Sequence, residues 1–172
     1  MNRLAEVAKQ EAGKYFHGKI MGTESNIHEI VKPFPKWSVE EADALWCAAF
    51  VLYCCKKAGM CIPYKPTECS MSLAACPAWE EWAKADHRIT YVSESDEPQS
   101  GDIVIFDHVF CDSPHDHMGI VIKVKKDILV VAEGNIRLCR KYFTSYQKTE
   151  HTQQRQIQYN EAEKLALRRS AH

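Results

Sequence analysis

No stretch of this chain approaches the ~20 consecutive apolar residues that a membrane-spanning helix requires. Nor does the start, MNRLAEVAKQEAGKYF, hold the uninterrupted apolar core of a secretion signal, because charges fall in every turn. The expectation is a protein made in the cytoplasm, reaching any outside target by release or export. A net charge of one sign is also missing: at −1 there is no overall pull towards nucleic acid or an anionic membrane. Any polymer substrate is then held by local contacts. No C-x-x-C pair occurs among the eight cysteines, and the spacing of Cys61, Cys69 and Cys76 fits no common zinc pattern. Reduced thiols are therefore expected rather than a disulfide framework. No internal repeat, low-complexity linker or second domain is visible. What remains is 172 residues of ordinary composition, 45% hydrophobic and 26% charged, enough for one domain to bury a core without staples.

The first half has helical signals. Leu4, Val7, Ala8, Ala12 and Tyr15 form an apolar stripe, ended by Gly18 and Gly22. Pro33 and Pro35 exclude a regular helix from residues 23–37. Ser38 with Glu41 reads as a capping box that opens a turn or short helix near Val39. The strongest helix runs from Asp43 to Gly59: Asp43 caps it, Lys56 and Lys57 suit its negative end, and Gly59 stops it. It is apolar nearly all round, which predicts a buried, central position. Residues 61–82 are irregular, with a further helix around Ala78 to Ala85.

The second half changes period. Arg88 to Val92, Asp102 to Phe106, His117 to Val124 and Asp127 to Glu133 are short and rich in Val and Ile, hence strands. They predict an antiparallel sheet continuing through about Tyr146. Asn160 with Glu163 suggests a second capping box, so residues 151–172 are expected as a helical extension of a domain spanning residues 1–150. The fold class is α+β.

Cys47 falls in the first turns of the strongest helix, where unsatisfied N–H groups and the positive dipole end favour thiolate over thiol. Those N–H groups also suit the oxyanion formed when a thiolate attacks an amide carbonyl. A buried cysteine serving only as a small hydrophobe is the competing reading. What separates the two is a base with an orienting partner. His117 opens one strand and Glu133 closes the next. A turn centred on Lys125 sets them face to face, with Gly119 opposite Val131 and Val121 opposite Leu129. One residue of slip puts them on opposite faces, and an ordinary surface His–Glu pair is the alternative. Asn135 is an accessory candidate, or else a loop residue after Gly134.

His115 and His117, with Asp112 and Asp116 nearby, raise a metal site as an alternative; the reading taken is no metal and no cofactor. His108 reads as a loop residue. Among the aromatic residues flanking the cysteine helix (Trp37, Trp46, Tyr64, Trp79 and Trp82), Trp46, Trp37 and Trp79 are the candidates to wall a substrate groove, with core burial as the other reading.

Four blocks, in order, resemble the signature of CHAP domains, part of the NlpC/P60 group of papain-like amidohydrolases. They are W-C-A-A-F-V at 46–51, P-x-x-G-D-I-V-I-F from Pro98 to Phe106, H-M-G-I-V at 117–121 and E-G-N at 133–135. The resemblance covers roughly residues 1–146. It implies a papain-like fold in which N-terminal helices, including a buried nucleophile helix, pack on a small antiparallel sheet. It further implies hydrolysis of peptidoglycan, as an N-acetylmuramoyl-L-alanine amidase or as an endopeptidase on stem or cross-bridge peptides. The family's nucleophile falls on Cys47, its base on His117, its acidic third member on Glu133 and its polarising Asn on Asn135, acting through a thioester. Cys before His excludes the circularly permuted relatives. Two departures stand out: no acidic calcium loop in residues 14–40, and no wall-binding module. The substrate implied is peptidoglycan or a peptide amide, with no nucleic-acid partner, in a phage lysin or an exported effector. A cysteine hydrolase acting on a non-wall amide and an inactive CHAP-like binding protein are the rivals.

Overall fold

Alternation along Ile103-Val104-Ile105-Phe106 sends Ile103 and Ile105 to one face of a strand and Val104 and Phe106 to the other, and all four are buried. A strand buried on both faces belongs inside a sheet, and here it sits third of six. The computed structural model describes residues 2–14, 16–18, 24–37, 45–92, 97–109, 113–125, 128–135, 152–158 and 165–169. Its helices are α1 (Arg3–Ala12), α2 (His28–Val31), α3 (Cys47–Lys57) and α4 (Cys76–Ala85). Its strands are β1 (Ile89–Val92), β2 (Ile103–Phe106), β3 (His117–Lys125), β4 (Ile128–Gly134), β5 (Thr152–Gln158) and β6 (Leu165–Arg169). The sheet order is β1-β6-β2-β3-β4-β5, every pair antiparallel. This is the α+β architecture expected from the sequence.

Helix α3 is the centre of the main core. Phe50, Val51, Leu52, Cys54 and Cys55 have no exposed surface and pack with Leu4 and Ala8 of α1, Ile30 of α2, and Ile105, Met118 and Ile120 of the sheet. Burying a Leu or Phe fully is worth about 1.5–3 kcal/mol, so this helix is fixed by tertiary packing on all sides. Its end is a Schellman motif. Gly59 takes φ +88°, its N–H reaches the Lys56 carbonyl at 3.0 Å, and the Met60 N–H reaches the Cys55 carbonyl at 3.0 Å. Val104, Phe106, Val121, Leu129 and Val131 form a second apolar cluster on the other sheet face.

Several boundaries differ from the sequence reading. Helix α3 starts at Cys47 rather than at Asp43. Helix α1 ends at Gly13, before Gly18. A one-turn helix, α2, fits ahead of Pro33, because proline restricts only itself and the residue before it. The expected helix in 151–172 is replaced by β5 along β4 and β6 between β1 and β2. A capping box is a local preference, whereas β2 and β4 otherwise present rows of unpaired N–H and C=O groups; satisfying them prevails. Ser38, Glu41, Asp43, Asp112, residues 136–146, Asn160 and Glu163 lie outside the described residues.

Candidate active site

Nothing in Trp46-Cys47-Ala48-Ala49 caps the start of α3. Trp46 occupies the N-cap position and makes no side-chain hydrogen bond there. A Ser or Asp at that position typically contributes about 1 kcal/mol, and its absence leaves first-turn N–H groups unclaimed by a cap. The Ala48 N–H turns to the Cys47 sulfur. Trp46 is placed by Gly134, where a Cβ would come within 2.7 Å of Phe50 Cβ and 2.8 Å of the Trp46 ring. The missing side chain at Gly134 thus lets β4 lie against the first turn of α3.

Strands β3 and β4 supply the partners. Their hairpin pairs Lys125 with Ile128, then shifts register between Val121 and Lys123 so that Val121 meets Val131 and Gly119 meets Glu133. His117 and Glu133 are therefore diagonal neighbours, not directly opposed as a turn at Lys125 predicts. The bulge decides their chemistry. Continued without it, the Lys125–Ile128 register puts His117 and Glu133 on opposite faces; one inserted residue restores them to the same face. Diagonal Cβ atoms lie roughly 7 Å apart, within reach of a long side chain. Gly119 provides the path: a Cβ there would stand 2.7 Å from Glu133 Cγ, so the glutamate crosses the space a side chain would fill. Nε2 of His117 donates to Glu133 Oε2 at 2.8 Å, with the two side chains 1% and 0% exposed. The Phe106 ring stacks on the imidazole, centroids 6.1 Å apart.

The third partner came from none of the sequence signals. Cys76, first residue of α4, lies with its sulfur 3.6 Å from that of Cys47. Its thiol hydrogen bond is the strongest influence drawing Cys47 well below the ordinary thiol value. Burial opposes this, and the hydrogen bond and charge of His117, then the Ala48 N–H, reinforce it. Cys76 moves the opposite way, well above its ordinary value, because it donates to a neighbouring sulfur and is itself buried. Burial works against a charge on His117. Hydrogen bonds to Cys47 and Glu133, with the negative charge of each, outweigh it and lift the imidazole to about 9. With Nε2 held by Glu133, Nδ1 is the nitrogen left to exchange a proton with the thiol. A thiolate, an imidazolium and a carboxylate in series are suited to nucleophilic attack on a carbonyl followed by protonation of the leaving group.

A model of the CHAP domain matches residues 39–135, more than half of the chain. The chain belongs to the CHAP domain family. The match takes in Cys47, Cys76, His117, Glu133 and Asn135, and it is narrower than the roughly 1–146 inferred from the four blocks. CHAP domains are peptidoglycan hydrolases of the amidase and endopeptidase kind, and the family brings hydrolase activity of that general class to this chain. No curated protein and no solved structure matches it.

The remaining site candidates of this CHAP domain divide. Asn135 follows Gly134 at the end of β4, buried and with φ +61°, a left-handed backbone that Asn tolerates. Trp46 and Trp79 do not wall a groove at Cys47: each is 1% exposed, Trp79 borders a cavity away from that residue, and its indole N–H is spent on the Leu73 carbonyl at 2.9 Å. Large flat side chains next to a buried helix are drawn into its core, which overrides any groove role. Trp37 is only partly buried and packs edge-on against Phe34 at 5.4 Å. The H-x-H pair diverges. His115 lies between Asp107 (Nδ1–Oδ1 2.8 Å) and Glu80 (Nε2–Oε2 2.9 Å), while His117 turns to Glu133. Asp116 accepts from the Val109 N–H at 2.9 Å, so the loop before β3 is pinned on both sides of its tip. A cavity of about 430 Å³ lies at the other end of α3, by Met60, Ile62, Trp82 and Arg88, and shares no residue with the Cys47 cluster.

Proposed function

We propose that this CHAP domain is a cysteine hydrolase of peptidoglycan, an N-acetylmuramoyl-L-alanine amidase or an endopeptidase, with Cys47 as nucleophile, His117 as acid and base, and Glu133 orienting the imidazole. The observation that carries the reading is the buried chain of contacts at the first residue of α3. Cys47 is pulled towards thiolate by the Cys76 thiol and by His117, and His117 is held at 2.8 Å by a fully buried carboxylate. Cys47 attacks the amide carbonyl carbon while the N–H of Cys47 receives the developing oxyanion. Proton transfer from His117 Nδ1 releases the amine and leaves a thioester. Water, deprotonated by the same nitrogen, then frees the acid. Glu133 keeps the ring in one orientation and supports its positive charge through both steps. Asn135, at the adjoining end of β4, is an accessory group of this site. The partly exposed Trp37, with Phe34 and the exposed Tyr64 beside it, is the candidate wall for substrate.

In this proposal the chain is made in the cytoplasm and acts in cell-wall degradation after release or export, as a phage lysin or an effector. Muropeptide mass spectrometry after digestion of purified peptidoglycan tests it. An amidase frees intact stem peptides from glycan, whereas an endopeptidase leaves glycan bearing shortened stems. No new fragment from the wild-type chain, alongside slow alkylation of Cys47, would sink the reading in favour of a non-catalytic CHAP-like protein.

A further inference from the structure

Among the described residues two helices begin on cysteine, and both beginnings meet. Cys47 opens α3 and Cys76 opens α4, neither helix has a side-chain N-cap, and the sulfurs are 3.6 Å apart although 29 positions separate the residues. Each residue is 6% exposed, so the pair is shielded from large thiols. A disulfide requires about 2.05 Å between sulfurs, a further approach of roughly 1.5 Å. Cys76 follows the irregular segment 61–75 and opens a ten-residue helix, so a change in its rotamer or first turn supplies that movement. The other described thiols are directed elsewhere. Cys69 donates to the Ala78 carbonyl at 3.4 Å, Cys54 and Cys55 lie near the far end of α3, and Cys61 is exposed beyond that end.

We propose that Cys47 and Cys76 form a resolving pair, in which peroxide oxidation of Cys47 is captured by Cys76 as a reversible disulfide that holds the hydrolase inactive. The inference rests on the hydrolase reading for its consequence, but not for its chemistry. In the first step the Cys47 thiolate attacks one peroxide oxygen: an S–O bond forms, the O–O bond breaks, and the other oxygen leaves as water after taking a proton. In the second, Cys76 sulfur attacks the sulfenic sulfur of Cys47. The S–S bond forms, the S–O bond breaks, and the departing hydroxide takes the Cys76 proton to leave as water. Two thiols lose two electrons and one peroxide becomes two waters. The direction of attack follows from the surroundings, since the fold draws Cys47 towards thiolate and favours the thiol at Cys76. Capture at 3.6 Å outruns further oxidation of Cys47 to the irreversible sulfinic acid.

The test treats the full chain with hydrogen peroxide and maps its cysteines by peptide mass spectrometry, with peptidoglycan turnover followed in parallel. The expected result is a Cys47–Cys76 cross-link, Cys54 and Cys55 still reduced, and turnover lowered at least about tenfold and restored by dithiothreitol. Cys76→Ser retains a hydrogen-bond donor beside Cys47 and cannot cross-link. In that variant the same treatment yields Cys47 sulfinic acid, and dithiothreitol restores nothing. Sulfinic acid at Cys47 in the wild-type chain, or a cross-link from Cys47 to any other cysteine, overturns the pairing. A Cys47–Cys76 cross-link in a chain that cuts no peptidoglycan in either state supports the pair and removes the hydrolase reading instead.

Discussion

The two ends of α3 carry the same side chain and behave in opposite ways. Cys47 at the start and Cys54 and Cys55 towards the end are all buried in one core. Burial pushes the Cys55 thiol up to about 12 and, with the nearby Cys55 and Glu11, raises Cys54 well above its usual range. At Cys47 the same desolvation is overcome by the Cys76 thiol, by His117 and by the Ala48 N–H. Burial alone therefore makes a cysteine inert, and contacts across the fold make one reactive. Helix polarity contributes in the same sense. The amide end of α3 is left uncapped, while the carbonyl end is closed by the Schellman turn and flanked by Lys56 and Lys57. Lys57 is itself tied 2.8 Å from the buried Glu11 of α1.

The most direct way to break this comparison is to truncate each end in turn. Cys47→Ala should lower kcat/KM on peptidoglycan by about 10³-fold or more with little change in Tm, while Cys54→Ala retains turnover. Equal losses from both would mean that the helix start holds no special thiol. Next in size is reactivity. At neutral pH iodoacetamide should label Cys47 at least about a hundredfold faster than Cys54 or Cys55, read by peptide mass spectrometry.

Glu133→Gln keeps a hydrogen-bonding group beside His117 and removes its charge, so the imidazole should fall from about 9. Turnover of the wild-type chain should decline as pH rises through about 9, where the imidazolium loses its proton. In the variant that decline moves to lower pH, with roughly a tenfold to hundredfold loss at neutral pH. An unmoved alkaline limb would remove Glu133 from the site. His117 also links stability to pH. Its folded value is raised above the ordinary 6.5, so its contribution is fully present below about 6.5 and lost as pH rises through about 9. Equilibrium unfolding in urea at a series of pH values reads this directly. The smallest effect is steric. A methyl at Gly119 meets Glu133 Cγ at 2.7 Å and the Ala132 carbonyl at 2.8 Å, so Gly119→Ala should cost about 1–3 kcal/mol. If Gly119 is the path for Glu133, turnover drops further than that loss of stability explains.

Much of this was legible from one segment at a time. The apolar run ending in Lys56, Lys57 and Gly59 identified the central helix, and the Val- and Ile-rich runs identified β1 to β4 within a residue or two. Cys47, His117 and Glu133 were nameable because each stands at the end of an element. Asn160 with Glu163 misled, because a helix-opening signal says nothing about a strand edge waiting some sixty residues away. Trp46 and Trp79 misled for a related reason: an aromatic beside a site reads the same whether it faces inward or outward.

By itself the sequence determined the central helix, the strands β1 to β4 and the family, because those depend on local pattern and on short ordered motifs. Tertiary structure alone decided which thiol is drawn towards thiolate, that Glu133 reaches His117 by way of a bulge and a glycine, and that Cys76 stands beside Cys47. The reason is physical: charge on a buried group is set by whatever the fold packs within a few ångströms of it, and here those neighbours come from four separate elements, α3, α4, β3 and β4.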